Sequence, residues 1–115
     1  MIEFPWPPTV NNYYTVANGR KILSTRGRKY KADCQWLIAS QKPSKARGSR
    51  VSVTIHAHPP DNRARDLDNL LKPVLDVLTE AELIDDDSVI DDLRIIRFPV
   101  FKGGKLELMV GAYES

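Results

Sequence analysis

Strict alternation is clearest in "VSVTIHA", where Val51, Val53, Ile55 and Ala57 share one side of an extended chain and Ser52, Thr54 and His56 share the other. A period of two marks a half-buried β-strand. Another period governs residues 25 to 41. There Tyr30, Cys34, Leu37 and Ile38 fall at i, i+4, i+7 and i+8, which predicts a helix with one buried stripe. Helical spacing returns in Leu71, Val74, Leu75, Leu78 and Ala81, predicting a second helix that runs to about Glu82. Pro73 locates its start, because a proline is tolerated in the first turn, where its missing amide hydrogen would have had no partner. The helix therefore begins near Asn69 or Leu70, with Asp68 or Asn69 at the N-cap and Asp66 just before it.

A short first strand is expected around Ile2 to Phe4, followed by an irregular loop in the proline-rich "PWPPTVNNYY". "YTVANGRKILS" reads as a hairpin that turns at Asn18-Gly19, with Arg20 and Lys21 at its tip. "LRIIRFPVF" and "KLELMV" read as the strands of a second hairpin joined through Gly103-Gly104. The predicted order is β-β-β-α-β-α-β-β: an α+β fold of one mainly antiparallel, mixed sheet with two helices on one side. Residues 1–115 are expected to form a single domain, near the size at which pairing with a second copy helps stability. No segment approaches the roughly 20 apolar residues of a membrane span, and no basic stretch leads into an apolar run, so a soluble cytoplasmic protein without a membrane partner is expected. Cys34 has no cysteine to pair with, and with only His56 and His58 beside it there is no paired-cysteine zinc framework.

Charge changes this picture. The net charge is only +2, yet residues 1 to 65 carry twelve Lys/Arg against three Asp/Glu, and residues 66 to 115 carry five against twelve. A basic surface beside concentrated carboxylates suits an enzyme that handles a polyanion with metal ions. Uneven solvated charge is the plain alternative. Arg26, Arg28 and Lys29 crowd the first turns of the first long helix, where cations oppose the helix dipole, so a ligand or simple solubility explains them better than helix stability.

The carboxylates are specific in their spacing. Asp66 and Asp68 precede the second helix, and residues two apart share a side only in an extended segment. Two aspartates aimed together repel each other, and Asp85, Asp86 and Asp87 follow at the far end of the helix segment. A divalent cation with hard oxygen ligands relieves that repulsion, and Mg²⁺ suits a few carboxylates plus water and phosphate oxygens. The alternative is a helix cap and a solvated loop acid. Lys72, one turn after Asp68, can neutralise charge developing on a transferring phosphate, or can form an i, i+4 pair with Asp76. Arg63 and Arg65 can grip flanking phosphates, or pair with Asp61, Asp66 or Asp68; phosphate contact is preferred. Arg20, Lys21, Arg26, Arg28 and Lys29 are the next candidate phosphate contacts. Tyr13 and Tyr14 are more readily packing residues than base-stacking platforms. His56 and His58 have the spacing for a shared metal, but exposed strand histidines are expected. Trp6, Trp36 and Phe98 are assigned to core or interface.

In this order, "PWPPTVNNYY", "RARDLDNLLKPVLDVL", "IDDDSV" and "FPVFKGGKLEL" resemble segments of the RusA family of Holliday-junction resolvases, over nearly the whole chain. The resemblance implies three aspartates that bind Mg²⁺, with Mn²⁺ as a possible substitute, and an assisting lysine. By position these are Asp66, Asp68 and Asp87, with Asp86 beside the last, and Lys72. Asp85 stands where an apolar residue is more usual. The resemblance also implies a homodimer whose two sites cut opposed strands of a four-way DNA junction. A non-catalytic junction-binding module with a structural metal is the alternative. A phosphotransferase with a nucleophilic Asp ranks last, because a basic loop rather than a buried strand precedes the D-x-D pair.

Overall fold

The computed structural model describes residues 1–114. A first strand, β1 (Ile2–Pro5), leads into a one-turn helix, α1 (Val10–Tyr13), inside the segment expected to be irregular. The amides of Asn12 and Tyr13 both return to the Thr9 carbonyl, at 2.9 and 2.8 Å, which closes that turn. Strands β2 (Tyr14–Ala17) and β3 (Arg20–Leu23) form a separate antiparallel hairpin. Asn18 and Gly19 both take positive φ (54° and 74°), as a type I′ turn requires.

Helix α2 spans Thr25–Gln41. Ser24 caps it by accepting the Gly27 amide at 3.0 Å, and Lys42, in the left-handed region, donates its amide to the Ile38 carbonyl at 2.8 Å. After β4 (Val51–His58) comes a 3₁₀ turn, Leu67–Leu70, and then α3 (Leu71–Glu80). Pro73 lies in the first turn of α3 as predicted, although Leu70 rather than a polar residue stands at the cap. A second 3₁₀ turn, Asp87–Val89, delivers the chain to β5 (Ile90–Arg97), and β6 (Lys105–Ala112) ends the fold.

Four strands form one mixed sheet in the order β1-β6-β4-β5. The expected second hairpin does not exist: β5 and β6 are separated by β4, which pairs antiparallel with β6 and parallel with β5. β5 also begins and ends earlier than "LRIIRFPVF" suggested. The Phe98 amide still donates to the Ala57 carbonyl at 2.8 Å, but Pro99 has no amide to continue the ladder.

The alternation of β4 becomes the core. Val51, Val53, Ile55 and Ala57 are fully buried together with Ile2, Phe4, Leu106 and Leu108. Tyr30 and Cys34 of α2 and Val74, Val77 and Leu78 of α3 complete the same cluster. Burial pushes the Cys34 thiol up to about 12. The opposite sheet face carries the half-buried Ser52, Thr54, His56 and His58.

Two contacts behind the hairpin give stability tests. A Cβ on Gly27 would stand 2.4 Å from the Tyr13 carbonyl oxygen, which is held by the Ser24 amide at 3.0 Å. Gly27→Ala should therefore lose about 1–3 kcal/mol from overpacking despite alanine's better helix propensity; an unchanged urea midpoint contradicts this close approach. The Tyr13 hydroxyl is buried without a hydrogen-bond partner among the described residues. Tyr13→Phe should keep stability or raise it by up to about 1 kcal/mol, and a clear loss in the same assay would mean that the hydroxyl is bonded in solution.

Candidate active site

Parallel neighbours cannot be joined by a tight turn. The chain leaves β4 at His58 and must return to the start of β5, and the acids lie on that crossover. Asp66 stands at its entry in extended conformation (φ −85°, ψ 129°), in the cap position of the first 3₁₀ turn but without a side-chain cap bond. Asp68 lies within that turn, exposed. Extended geometry therefore holds for Asp66 and ends before Asp68.

The three acids after α3 have separate roles. Asp85 accepts from the Gly48 amide at 2.8 Å and from the Arg47 guanidinium, and these contacts hold its carboxyl below the ordinary range. It is polar because it anchors the loop before β4. Asp86 caps the second 3₁₀ turn, accepting from the Ser88 amide at 3.2 Å, and its carboxyl is likewise lowered, chiefly by Ser88. Asp87 begins the turn, exposed. Asp66, Asp68 and Asp87 are all exposed, and none of them forms an ion pair with a lysine, arginine or histidine among the described residues; Asp87 shares a side-chain hydrogen bond with its neighbour Asp86.

Lys72 donates to Asp76 at 2.9 Å, the i, i+4 pair weighed above. That bond is the main cause of its raised pKa, and the charge of Asp87 adds to it. Among the described residues, no group of three His, Cys, Asp or Glu side chains is placed to hold a metal ion. The fit to a metal rests on donor chemistry: hard, exposed carboxylate oxygens suit Mg²⁺, which keeps several waters and fills its coordination with carboxylates and phosphate oxygens.

The basic candidates divide as well. Arg65 pairs with Asp61, and Asp61 also accepts the Arg63 amide at 3.0 Å. Arg20 and Lys21 lie exposed at the hairpin, with the Lys21 ammonium 4.4 Å from the Tyr14 ring centroid. Arg28 donates to the Leu23 carbonyl at 2.9 Å, and Lys29 pairs with Asp33 at 2.8 Å. Arg26 and Arg28 share a groove with Asn11, Asn12 and Tyr14. Tyr13 is a core residue.

Residues 5–110 match the family described as Endodeoxyribonuclease RusA. The chain belongs to the RusA family. It is 39% identical over 109 residues to the crossover junction endodeoxyribonuclease RusA of Escherichia coli K12, which covers 95% of this chain and 91% of that protein. Identity and coverage are the same against the proteins of that name from Shigella sonnei and Enterobacteria phage 82.

In this RusA-family chain the two histidines are half-buried rather than exposed. His56 stacks on Phe98 (4.0 Å, 15°), and His58 lies between the Pro99 carbonyl at 3.0 Å and Glu107 at 2.8 Å. Their neighbours come from β6 and the β5–β6 loop, which the spacing of β4 alone does not reveal. Trp36, assigned to core or interface, is 70% exposed and outside the core. Sequence reasoning missed Arg97, whose guanidinium reaches the Arg65 carbonyl at 2.7 Å. No periodicity or motif distinguishes it.

Arg65's guanidinium, then the Arg63 amide, lowers the Asp61 carboxyl from 3.8 to about 2. A folded pKa below the unfolded one contributes stability above the unfolded value that is lost as pH falls through the folded value. In an NMR titration Asp61 should titrate near 2, and Arg65→Gln should return it toward the ordinary value. The stability difference between the two proteins should shrink as pH falls below 3.8. A wild-type Asp61 that titrates at the ordinary value contradicts the pair.

Proposed function

We propose that the chain is a single-domain, Mg²⁺-dependent endodeoxyribonuclease that acts as a homodimer on four-way DNA junctions and nicks two opposed strands symmetrically. The observation that carries this reading is the crossover itself: in a RusA-family chain it exposes Asp66, Asp68 and Asp87, with Lys72 in the first turn of the helix between them. Two nicks across one junction need two sites, which is the reason for including a second copy.

Asp66, Asp68 and Asp87 are the proposed ligands. Asp86, engaged as a cap, is proposed as an outer neighbour that orients Asp87. A divalent cation there, Mg²⁺ or in its place Mn²⁺, would supply charge neutralisation and a water made nucleophilic at neutral pH. Hydrolysis there would join a water oxygen to phosphorus and break the bond to one ester oxygen, with the proton that the water gives up balanced by the one the leaving oxygen gains. Lys72, kept protonated by Asp76, faces the negative charge that builds on the phosphate oxygens. Arg20, Lys21 and Arg26, with Arg28, Lys29, Arg63 and Arg65 at lower availability, are proposed to contact backbone phosphates, a sequence-independent and salt-dependent attraction. Among the described residues no helix is long and apolar enough to cross a membrane.

The test compares purified protein with Asp68→Asn on a labelled synthetic four-way junction and a linear duplex, with Mg²⁺ or with EDTA. Paired symmetric nicks on the junction, dependent on Mg²⁺, are expected. Asp68→Asn should bind the junction and cleave about 100-fold more slowly or worse, the scale of losing a group that stabilises developing charge. Junction binding with no cleavage under any metal condition would make the chain a binding module, and full activity in Asp68→Asn would remove that residue from the site.

A further inference from the structure

Arg97 closes β5, and in the parallel ladder it stands beside Ala57. Its side chain therefore leaves the sheet on the face of Val53, Ile55 and Ala57, toward the crossover. There the guanidinium Nη2 donates to the Arg65 carbonyl at 2.7 Å. That carbonyl belongs to the peptide unit whose nitrogen is the amide of Asp66. Among the described residues no carboxylate lies within ion-pair distance of Arg97, unlike Arg47, Arg50, Arg65 and Arg94.

On its other side, Asp66 offers its carbonyl to the Asn69 amide at 3.4 Å. Both peptide planes flanking the Asp66 Cα are thus anchored, one from the sheet and one within the 3₁₀ turn. The Asp66 carboxylate itself accepts no cap bond, so the backbone, through the direction of the Cα–Cβ bond, is what sets the region it can reach. Arg97 and Asp66 also line one groove of about 440 Å³ with Arg63, Arg65, Phe98 and Val100.

We propose that Arg97 is a positioning residue for Asp66: its bond to the Arg65 carbonyl ties the end of β5 to the entry of the crossover and fixes where the Asp66 carboxylate stands. The inference rests on the role proposed for Asp66 above. A displacement of about 1 Å in a reacting constellation can cost about 100-fold in rate, while phosphate contacts elsewhere continue to hold the substrate.

The experiment compares wild type, Arg97→Ala and Arg97→Lys by three readouts: hydrogen exchange of the metal-free protein, junction affinity in EDTA across a salt series, and single-turnover cleavage at saturating protein with Mg²⁺. In Arg97→Ala, amides from Asp66 to Asn69 should exchange faster while those of β4 and β6 do not change. Cleavage should slow by about 10- to 100-fold, with Kd within about 2-fold and an unchanged salt slope. Arg97→Lys still donates one bond to the carbonyl and should recover part of the rate. Weakened binding with a salt slope reduced by about 1 and an unchanged saturated rate would make Arg97 a phosphate contact and overturn the proposal. Unaltered exchange in Arg97→Ala overturns it too. If wild type fails to cut the junction, the nuclease reading fails, and the exchange comparison still decides whether Arg97 fixes the Asp66 segment.

Discussion

The parallel pairing of β4 with β5 is the constraint on which the rest depends. An antiparallel partner could have followed a short turn, and the chain would then have had no reason to build a long connection. A parallel partner obliges it to travel back along the sheet, and an amphipathic helix does so while covering the apolar face of β4. The same segment meets both needs. Val74, Val77 and Leu78 seal the core, while the turns at either end of α3 carry Asp66, Asp68 and Asp87 in solvent. Stability and candidate chemistry are thus divided between the middle of the crossover and its ends.

This division explains how a cluster of acids coexists with a small fold. Asp85 and Asp86 are used structurally, one closing the loop before β4 and the other capping a turn. Each accepts an amide hydrogen bond that favours the charged form. The acids without such partners sit where water screens their repulsion.

Charge follows the same logic. The two halves of the chain have opposite signs, but part of that contrast is cancelled between them, since Lys31 meets Glu80, Arg47 meets Asp85 and Arg50 meets Asp91. These exposed pairs contribute little individually. Their effect is to remove cations from the surface available to a polyanion, leaving the β2–β3 hairpin and Arg26, with Lys42, Lys45 and Lys102, among the more open positive groups.

Much of this was legible without coordinates. Periods of two and 3.6 located β4, α2 and α3, because burial on one face demands them; Asn18-Gly19 marked its turn, because both residues tolerate positive φ. Pro73 dated the start of α3 to within a turn, and the D-x-D pair, the lysine and the later acids named the family. What remained hidden were relations across the chain. Strand order is one, because "LRIIRFPVF" and "KLELMV" read as hairpin strands whether or not β4 lies between them. Partner choice is another: that Arg47 takes Asp85, that Arg65 takes Asp61, and that Arg97 holds the peptide before Asp66 all depend on segments brought together only by packing. Local sequence determined the elements and their chemistry, since backbone propensity and side-chain type act over a few residues. Tertiary structure alone decided which carboxylates stay free, since a hydrogen bond requires its partner within about 3 Å, and sequence spacing does not measure that distance.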